Sequence, residues 1–151
     1  MRKVTLAALI LLGSVVACSS DKTPNGPGAG GLNLTAMWAG PIVVAGAEAR
    51  MSWNLTQVND LVTGPVTVLL SNGVVLLNGF LTGTLSGMTL PYTISVGNGG
   101  VPARPGCAGQ LAGTMTVALA GATSTLSGPM GVSSSNCTPP FDASTVTLTR
   151  Q

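Results

Sequence analysis

The feature that most constrains the fold is an alternation of apolar and small polar residues with a period of two. From Leu32 onward, apolar residues occupy every second position of most segments, and threonine, serine or asparagine stands between them. In the segment 50–57, for example, Met51, Trp53 and Leu55 fall on one side of an extended chain. This pattern gives a sheet one dry face and one wet face. It favours an antiparallel sheet, because parallel sheets are buried on both faces.

The same alternation recurs in five later runs. The apolar residues that we assign to the dry face of these runs are Val62, Val66, Val68, Leu70, Tyr92, Ile94, Val96, Leu111, Met115, Val117, Leu119, Leu126, Met130, Val132, Val146 and Leu148. Threonines such as Thr114, Thr116, Thr145 and Thr147 are assigned to the wet face. A first strand near 37–44 and an apolar run over 74–81 bring the expected number to eight or nine. In the run 74–81, Val75 and Leu77 are expected to face outward.

The segments between these runs are short and rich in turn residues. Asn59-Asp60 and Ser71-Asn72-Gly73 are examples, and their length suits hairpins rather than crossover connections. We therefore predict one all-β domain over residues 32–151, a small up-and-down antiparallel β-barrel of about eight strands. A β-sandwich is the alternative.

Glycine recurs in the middle of the predicted strands. Gly64, Gly83, Gly113 and Gly128 each lie within a short apolar motif, and proline follows Gly64 and Gly128. Mid-strand glycine marks a bulge or a sharp bend of the sheet. The prolines at 65 and 129 lead us to expect bulges there, because proline cannot donate to the strand ladder.

The N-terminus has the layout of a secretory signal peptide, with Arg2 and Lys3 ahead of an apolar run over 4–17. The run is too short for a stable membrane-spanning helix. Residues 15–18, Val-Val-Ala-Cys, resemble the bacterial lipobox. That resemblance implies a signal peptide over 1–17 and a lipidated Cys18 as the first mature residue, after processing by the lipoprotein machinery. Cys18 would then hold the protein to the lipid bilayer.

The residues that follow Cys18 indicate a destination and a tether. No aspartate stands at the second mature position, which in lipoproteins of this type implies the outer membrane, facing either the periplasm or the cell surface. Residues 19–31 are dense in Gly, Pro and Ser and lack an apolar period, so we interpret 18–31 as the lipidated cysteine and a flexible linker.

The charges of the mature chain balance. Its four cations and four anions are Lys22, Arg50, Arg104, Arg150, Asp21, Glu48, Asp60 and Asp142. The net charge of +2 thus belongs to the signal peptide. Four scattered cations do not form a basic surface for nucleic acid, and we expect no nucleic-acid partner.

Two cysteines, Cys107 and Cys137, remain after lipidation of Cys18. In an oxidising compartment they are expected to pair. The chain has no histidine to complete a zinc site, so that no metal or other cofactor is expected. Without histidine or a Gly-x-Ser-x-Gly motif, no enzymatic activity is expected either.

The layout over 37–150 resembles that of lipocalin and avidin barrels, and of bacterial lipoproteins with Thr/Gly-rich hairpins. The resemblance is one of pattern and implies the fold, but no ligand. Two hypotheses about function follow. The first is a non-enzymatic structural or interaction module of the envelope. The second is a lipocalin-like barrel that binds a small apolar ligand, with Met51, Trp53, Tyr92, Met115 and Met130 as candidate lining residues.

Overall fold

The computed structural model describes residues 31–120, 123–137 and 143–151, which form one closed barrel. Its eight strands are β1 (Ala36–Val44), β2 (Ala47–Val58), β3 (Leu61–Leu70), β4 (Val75–Thr84), β5 (Thr89–Val96), β6 (Gly109–Ala120), β7 (Thr123–Ser135) and β8 (Ser144–Arg150). Each strand pairs antiparallel with the next, and β8 pairs with β1. The prediction of an up-and-down barrel is confirmed, and the sandwich alternative is wrong. The described residues contain no helix that is long and apolar enough to cross a membrane.

The barrel interior is the hydrophobic core that the alternation predicts. Nearly all residues assigned to the dry face are buried in a single cluster, and Thr114, Thr116, Thr145 and Thr147 are exposed. The core therefore follows from the period-two pattern of each strand, because one face of every strand points to the barrel axis.

Two assignments of side-chain direction need correction. Leu119 lies on the predicted side of β6 but is 59% exposed, because the strand runs past the end of the core there. Leu77 is buried, contrary to our expectation. Leu77 pairs with Val68 in the same register in which Leu81 pairs with Gly64, so that ordinary alternation turns both leucines inward. The register of β3 against β4 shifts only beyond this pair, between Val68 and Leu69.

Mid-strand glycines lie where the backbone of a neighbouring strand approaches closely. Side chains at these positions would overlap the neighbouring backbone: a Cβ at Gly64 would meet the carbonyl oxygen of Asn54, and a Cβ at Gly128 that of Thr114. The expected bulge at Pro65 is wrong, because pairs on either side of it, such as Trp53 with Val66, keep one register.

The bulge expected at Pro129 is wrong for the same reason. The pairs on either side of that position, Gly113 with Met130 and Thr116 with Ser127, keep one register. The register of β6 against β7 shifts elsewhere, between Gln110 and Leu111. Both Gly-Pro motifs thus lie where the ladder is interrupted without an inserted residue, which suits a residue that cannot donate.

The two ends of the barrel differ. One end, called the entry end here, carries the segment Leu32–Thr35, the turn at 59–60 and the connection 85–88. The opposite end, called the loop end, carries the turns at 45–46 and 71–74, the long loop 97–108 and the segment that follows β7. Asn59 at the entry end adopts positive φ (55°), which asparagine tolerates better than most residues.

Candidate functional site

The five candidate ligand-lining residues lie inside the barrel and contribute to one core. Met51, Trp53 and Met115 are fully buried, and Met130 and Tyr92 nearly so. The structure thus brings them together in the barrel interior, where they pack with the aliphatic residues of the other strands.

Trp53 and Tyr92 form the aromatic centre of this core. Their ring centroids are 5.0 Å apart in an edge-to-face arrangement, which aromatic pairs prefer. The Tyr92 hydroxyl donates a hydrogen bond to the carbonyl oxygen of Pro129 at 3.2 Å. The indole Nε1 of Trp53, by contrast, has no hydrogen-bond partner among the described residues. The contribution of Trp53 to stability therefore comes from packing.

Tyr92 is expected to titrate above the ordinary range of a phenol. Burial disfavours the charged phenolate and raises the pKa of Tyr92. Because the folded state then holds its proton more tightly than the unfolded state, this stabilising effect is fully present below about pH 10 and is lost as the pH rises further. Tyr92 is the only tyrosine of the chain, so absorbance at 295 nm follows it directly. We expect phenolate to appear above pH 10 and together with unfolding. A normal titration near pH 10 in the folded protein would contradict the buried placement.

The interior is filled by side chains rather than hollow. A pocket of about 40 Å³, partly open to solvent, lies at the loop end and is lined mainly by apolar residues such as Leu77, Val96 and Leu111. Such a volume accommodates a water molecule or two but no apolar metabolite. Three larger depressions, of about 310 to 460 Å³, are open to solvent. Of the five candidate lining residues, only Tyr92 borders any of these four spaces, at a depression beside Pro91 and Gly113.

The loop end is fastened by a disulfide bond and by one asparagine. Cys107, which ends the long loop before β6, is bonded to Cys137, which follows β7, with 5.8 Å between their Cα atoms. The predicted pair is therefore present. Beside it, Asn136 accepts a hydrogen bond from the amide of Ala108 (2.8 Å) and donates one to the carbonyl oxygen of Gly106 (3.0 Å). The bridge and the asparagine together hold the long loop against the end of β7.

The entry end is closed by Gln57, a residue that sequence reasoning missed. Gln57 is buried, and its Oε1 accepts a hydrogen bond from the amide of Leu34 at 2.8 Å. Its Nε2 donates to the carbonyl oxygens of Leu32 (3.2 Å) and Asn59 (2.8 Å). Trp38 adds a hydrogen bond from Nε1 to the carbonyl oxygen of Leu34 at 2.9 Å. These bonds fix the segment Leu32–Thr35 across the entry end, where Leu32 and Leu34 are buried.

The seam between β1 and β8 carries a cation. The Arg150 guanidinium lies 5.9 Å from the Trp38 ring centroid and donates a hydrogen bond to the carbonyl oxygen of Thr35 at 3.0 Å. Nearby, Arg50 donates from Nη2 to Oε1 of Gln151 at 3.1 Å.

The acidic groups of the described chain are dispersed. Glu48 begins β2 near the loop end, whereas Asp60 lies in a turn of the entry end. Within the described ranges, no three His, Cys, Asp or Glu residues come together as metal ligands would. The lipidation candidate, Cys18, the signal peptide over 1–17 and almost all of the linker lie outside the described residues.

Comparisons of this chain with protein-family models, with curated proteins and with solved structures give no match. The closed eight-stranded barrel is shown by the structure, whereas the resemblance to lipocalin and avidin barrels stays a prediction from the sequence pattern.

Proposed function

We propose that the protein is an outer-membrane lipoprotein, anchored through acylated Cys18, whose barrel serves as a non-enzymatic structural or interaction module of the envelope. Its interior supplies stability, and its outer wall and ends are the surfaces offered to other envelope components.

The observation that carries this proposal is the filled interior. The barrel interior holds one continuous cluster of buried apolar side chains, which includes Met51, Trp53, Met115 and Met130. An eight-stranded barrel is wide enough either for its own side chains or for one small ligand. Large side chains at the centre favour the first arrangement, and so favour an interaction module over a lipocalin-like ligand carrier.

The proposed anchor rests on the sequence around Cys18. A charged start, an apolar run and Val-Val-Ala-Cys occur in the order and spacing of a lipoprotein signal. A single acyl chain gives only marginal membrane binding, since each buried CH₂ contributes about 0.8 kcal/mol, and several chains make the attachment lasting. The acylated cysteine of a lipoprotein carries several.

The anchor is tested by replacing Cys18. We expect Cys18→Ala to leave an unprocessed precursor without acyl chains, and we expect Ser19→Ala, which keeps residues 15–18 intact, to be processed and acylated like the parent protein. Intact mass and partition between detergent and aqueous phases, measured on protein from the cell envelope, report both steps. If Cys18→Ala were cleaved and acylated as the parent is, the anchor would be elsewhere and the proposal would fail.

A further inference from the structure

The exposed apolar residues of the barrel are concentrated at the entry end. Eight large apolar residues of the described chain are strongly exposed, and five of them lie at or beside this end. Those five are Met37, Val58, Leu61, Met88 and Leu119. Of the other three, Val43 and Val74 lie near the loop end and Phe80 on the outer wall.

Four of these residues lie on or beside neighbouring connections of the entry end, and backbone hydrogen bonds join these connections to each other and to β6. Val58 and Leu61 flank the turn at 59–60, and the Leu85 amide donates to the carbonyl oxygen of Asp60 at 2.7 Å. The next connection carries Met88, whose carbonyl oxygen accepts a hydrogen bond from the Val117 amide at 2.8 Å. Leu119 follows two residues later on β6. The four apolar tips, Val58, Leu61, Met88 and Leu119, thus form one rim, called the apolar rim below.

The chain leading back to the proposed anchor leaves the barrel at this same end. Gln57 holds Leu32 and Leu34 across the entry end, so that Gly31 emerges beside the apolar rim. Residues 19–30 are all that separates this point from Cys18 in sequence, and fully extended they span at most about 40 Å. The entry end therefore lies within about 40 Å of the proposed acyl anchor.

The charges at the entry end suit a lipid surface. Arg150 lies on its β1–β8 side, where a guanidinium group can reach lipid phosphates. Asp60 lies in the turn between Val58 and Leu61, and the described part of the entry end contains no other acidic residue. Apolar tips flanked by arginine are a combination typical of surfaces that lie in a membrane interface.

We propose that the barrel stands on the bilayer with its entry end down, and that the apolar rim inserts into the headgroup region. This inference rests on the proposed anchor, because the acyl chains at Cys18 supply most of the membrane affinity. The rim then sets orientation, turning the loop end with its disulfide-fastened loop away from the lipid toward other envelope components.

Lipid quenching of a reporter at each end tests the orientation. Full-length lipidated protein carrying Leu61→Cys, Met88→Cys or, as the matched control at the loop end, Val43→Cys is labelled with a fluorophore while the Cys107–Cys137 bridge stays oxidised. Each protein is reconstituted into phosphatidylethanolamine/phosphatidylglycerol vesicles with and without a lipid that is spin-labelled near its headgroup. Strands of about ten residues, tilted in a barrel, separate the two ends by about 25 Å, beyond the short range of this quencher.

We expect several-fold stronger quenching at positions 61 and 88 than at position 43. Equal quenching at the two ends, or stronger quenching at position 43, would overturn the proposed orientation while the acylated mass of the protein still supports the anchor. Shielding of position 61 from aqueous iodide that grows with protein density, without lipid quenching, would show that a second copy covers the rim and would overturn it too. A protein that lacks acyl chains and stays off the vesicles would refute the anchor and this inference together.

Discussion

Replacing Trp53 with alanine is expected to lower the free energy of unfolding by about 3–5 kcal/mol, a large part of the stability of a domain this small. Trp53 is fully buried at the centre of the barrel, and its neighbours in the sheet are Trp38 on β1 and Val66 on β3. Its removal leaves a cavity that strands closed into a barrel cannot collapse to fill. Denaturant titration followed by circular dichroism measures the loss.

Two variants serve as controls for this experiment. Thr116→Ser changes an exposed side chain on the outer wall and is expected to cost well under 1 kcal/mol. Trp53→Phe keeps a large ring and removes an indole N–H that has no hydrogen-bond partner within the described part of the chain, so we expect it to cost clearly less than Trp53→Ala. Comparable losses for Trp53→Ala and Thr116→Ser would mean that the inner and outer faces are assigned wrongly.

Replacing Gly113 with alanine is expected to destabilise the barrel by about 3 kcal/mol or more, although it adds a single methyl group. A Cβ at this position would overlap the carbonyl oxygen of Pro129 on β7 and would lie 2.9 Å from the Tyr92 hydroxyl. Both obstacles are held in place, the first by the backbone of the sheet and the second by its own hydrogen bond to Pro129. The strands must therefore separate at this close contact to admit the methyl group.

Gly131, on β7, is the matched control for Gly113. Among the described residues, a Cβ at Gly131 would meet only the Cβ of Ala143, at an ordinary contact distance of 3.8 Å. Gly131→Ala should therefore be neutral or slightly stabilising, because alanine restricts the unfolded chain more than glycine does. The two variants are compared by the midpoint of thermal unfolding. Equal midpoints would show that the close approach of β6 and β7 at Gly113 is not a feature of the folded protein.

The fold could be predicted because the alternation of apolar and polar residues identifies the inner face of most strands. In β2, the order Met51, Trp53, Leu55 with polar residues between them leaves one choice of inner face, and a shift by one residue would expose all three. The assignments failed where tertiary structure decides the outcome. Leu119 continues the period of β6, but only the position of the barrel end determines that it is exposed. Leu77 lies in a run that is apolar on both sides, so that the pattern alone does not distinguish the inner face, and its pairing with Val68 in register with Leu81 turns it inward.

The hydrogen bonds of Gln57 and Asn136 could not be predicted, because they also depend on tertiary structure. Gln57 continues the inward-facing series of β2, yet a lone glutamine in an apolar series does not reveal what it binds. Besides Asn59, its partners come from the segment Leu32–Thr35, 22 to 25 residues away in sequence. Asn136 likewise serves backbone groups 28 and 30 residues away. Whether the interior is filled or hollow was equally undetermined, because the size and tilt of the barrel, and not its alternation, fix the space between facing side chains.

The most direct test of an anchored barrel with a filled interior is mass spectrometry of the protein purified from membranes. The native protein is weighed first, then unfolded and extracted with organic solvent. We predict a chain that begins at acylated Cys18, contains the Cys107–Cys137 bridge, and releases no small molecule in stoichiometric amount on unfolding. Release of one apolar molecule per chain would contradict the filled interior and would establish the protein as a ligand carrier instead.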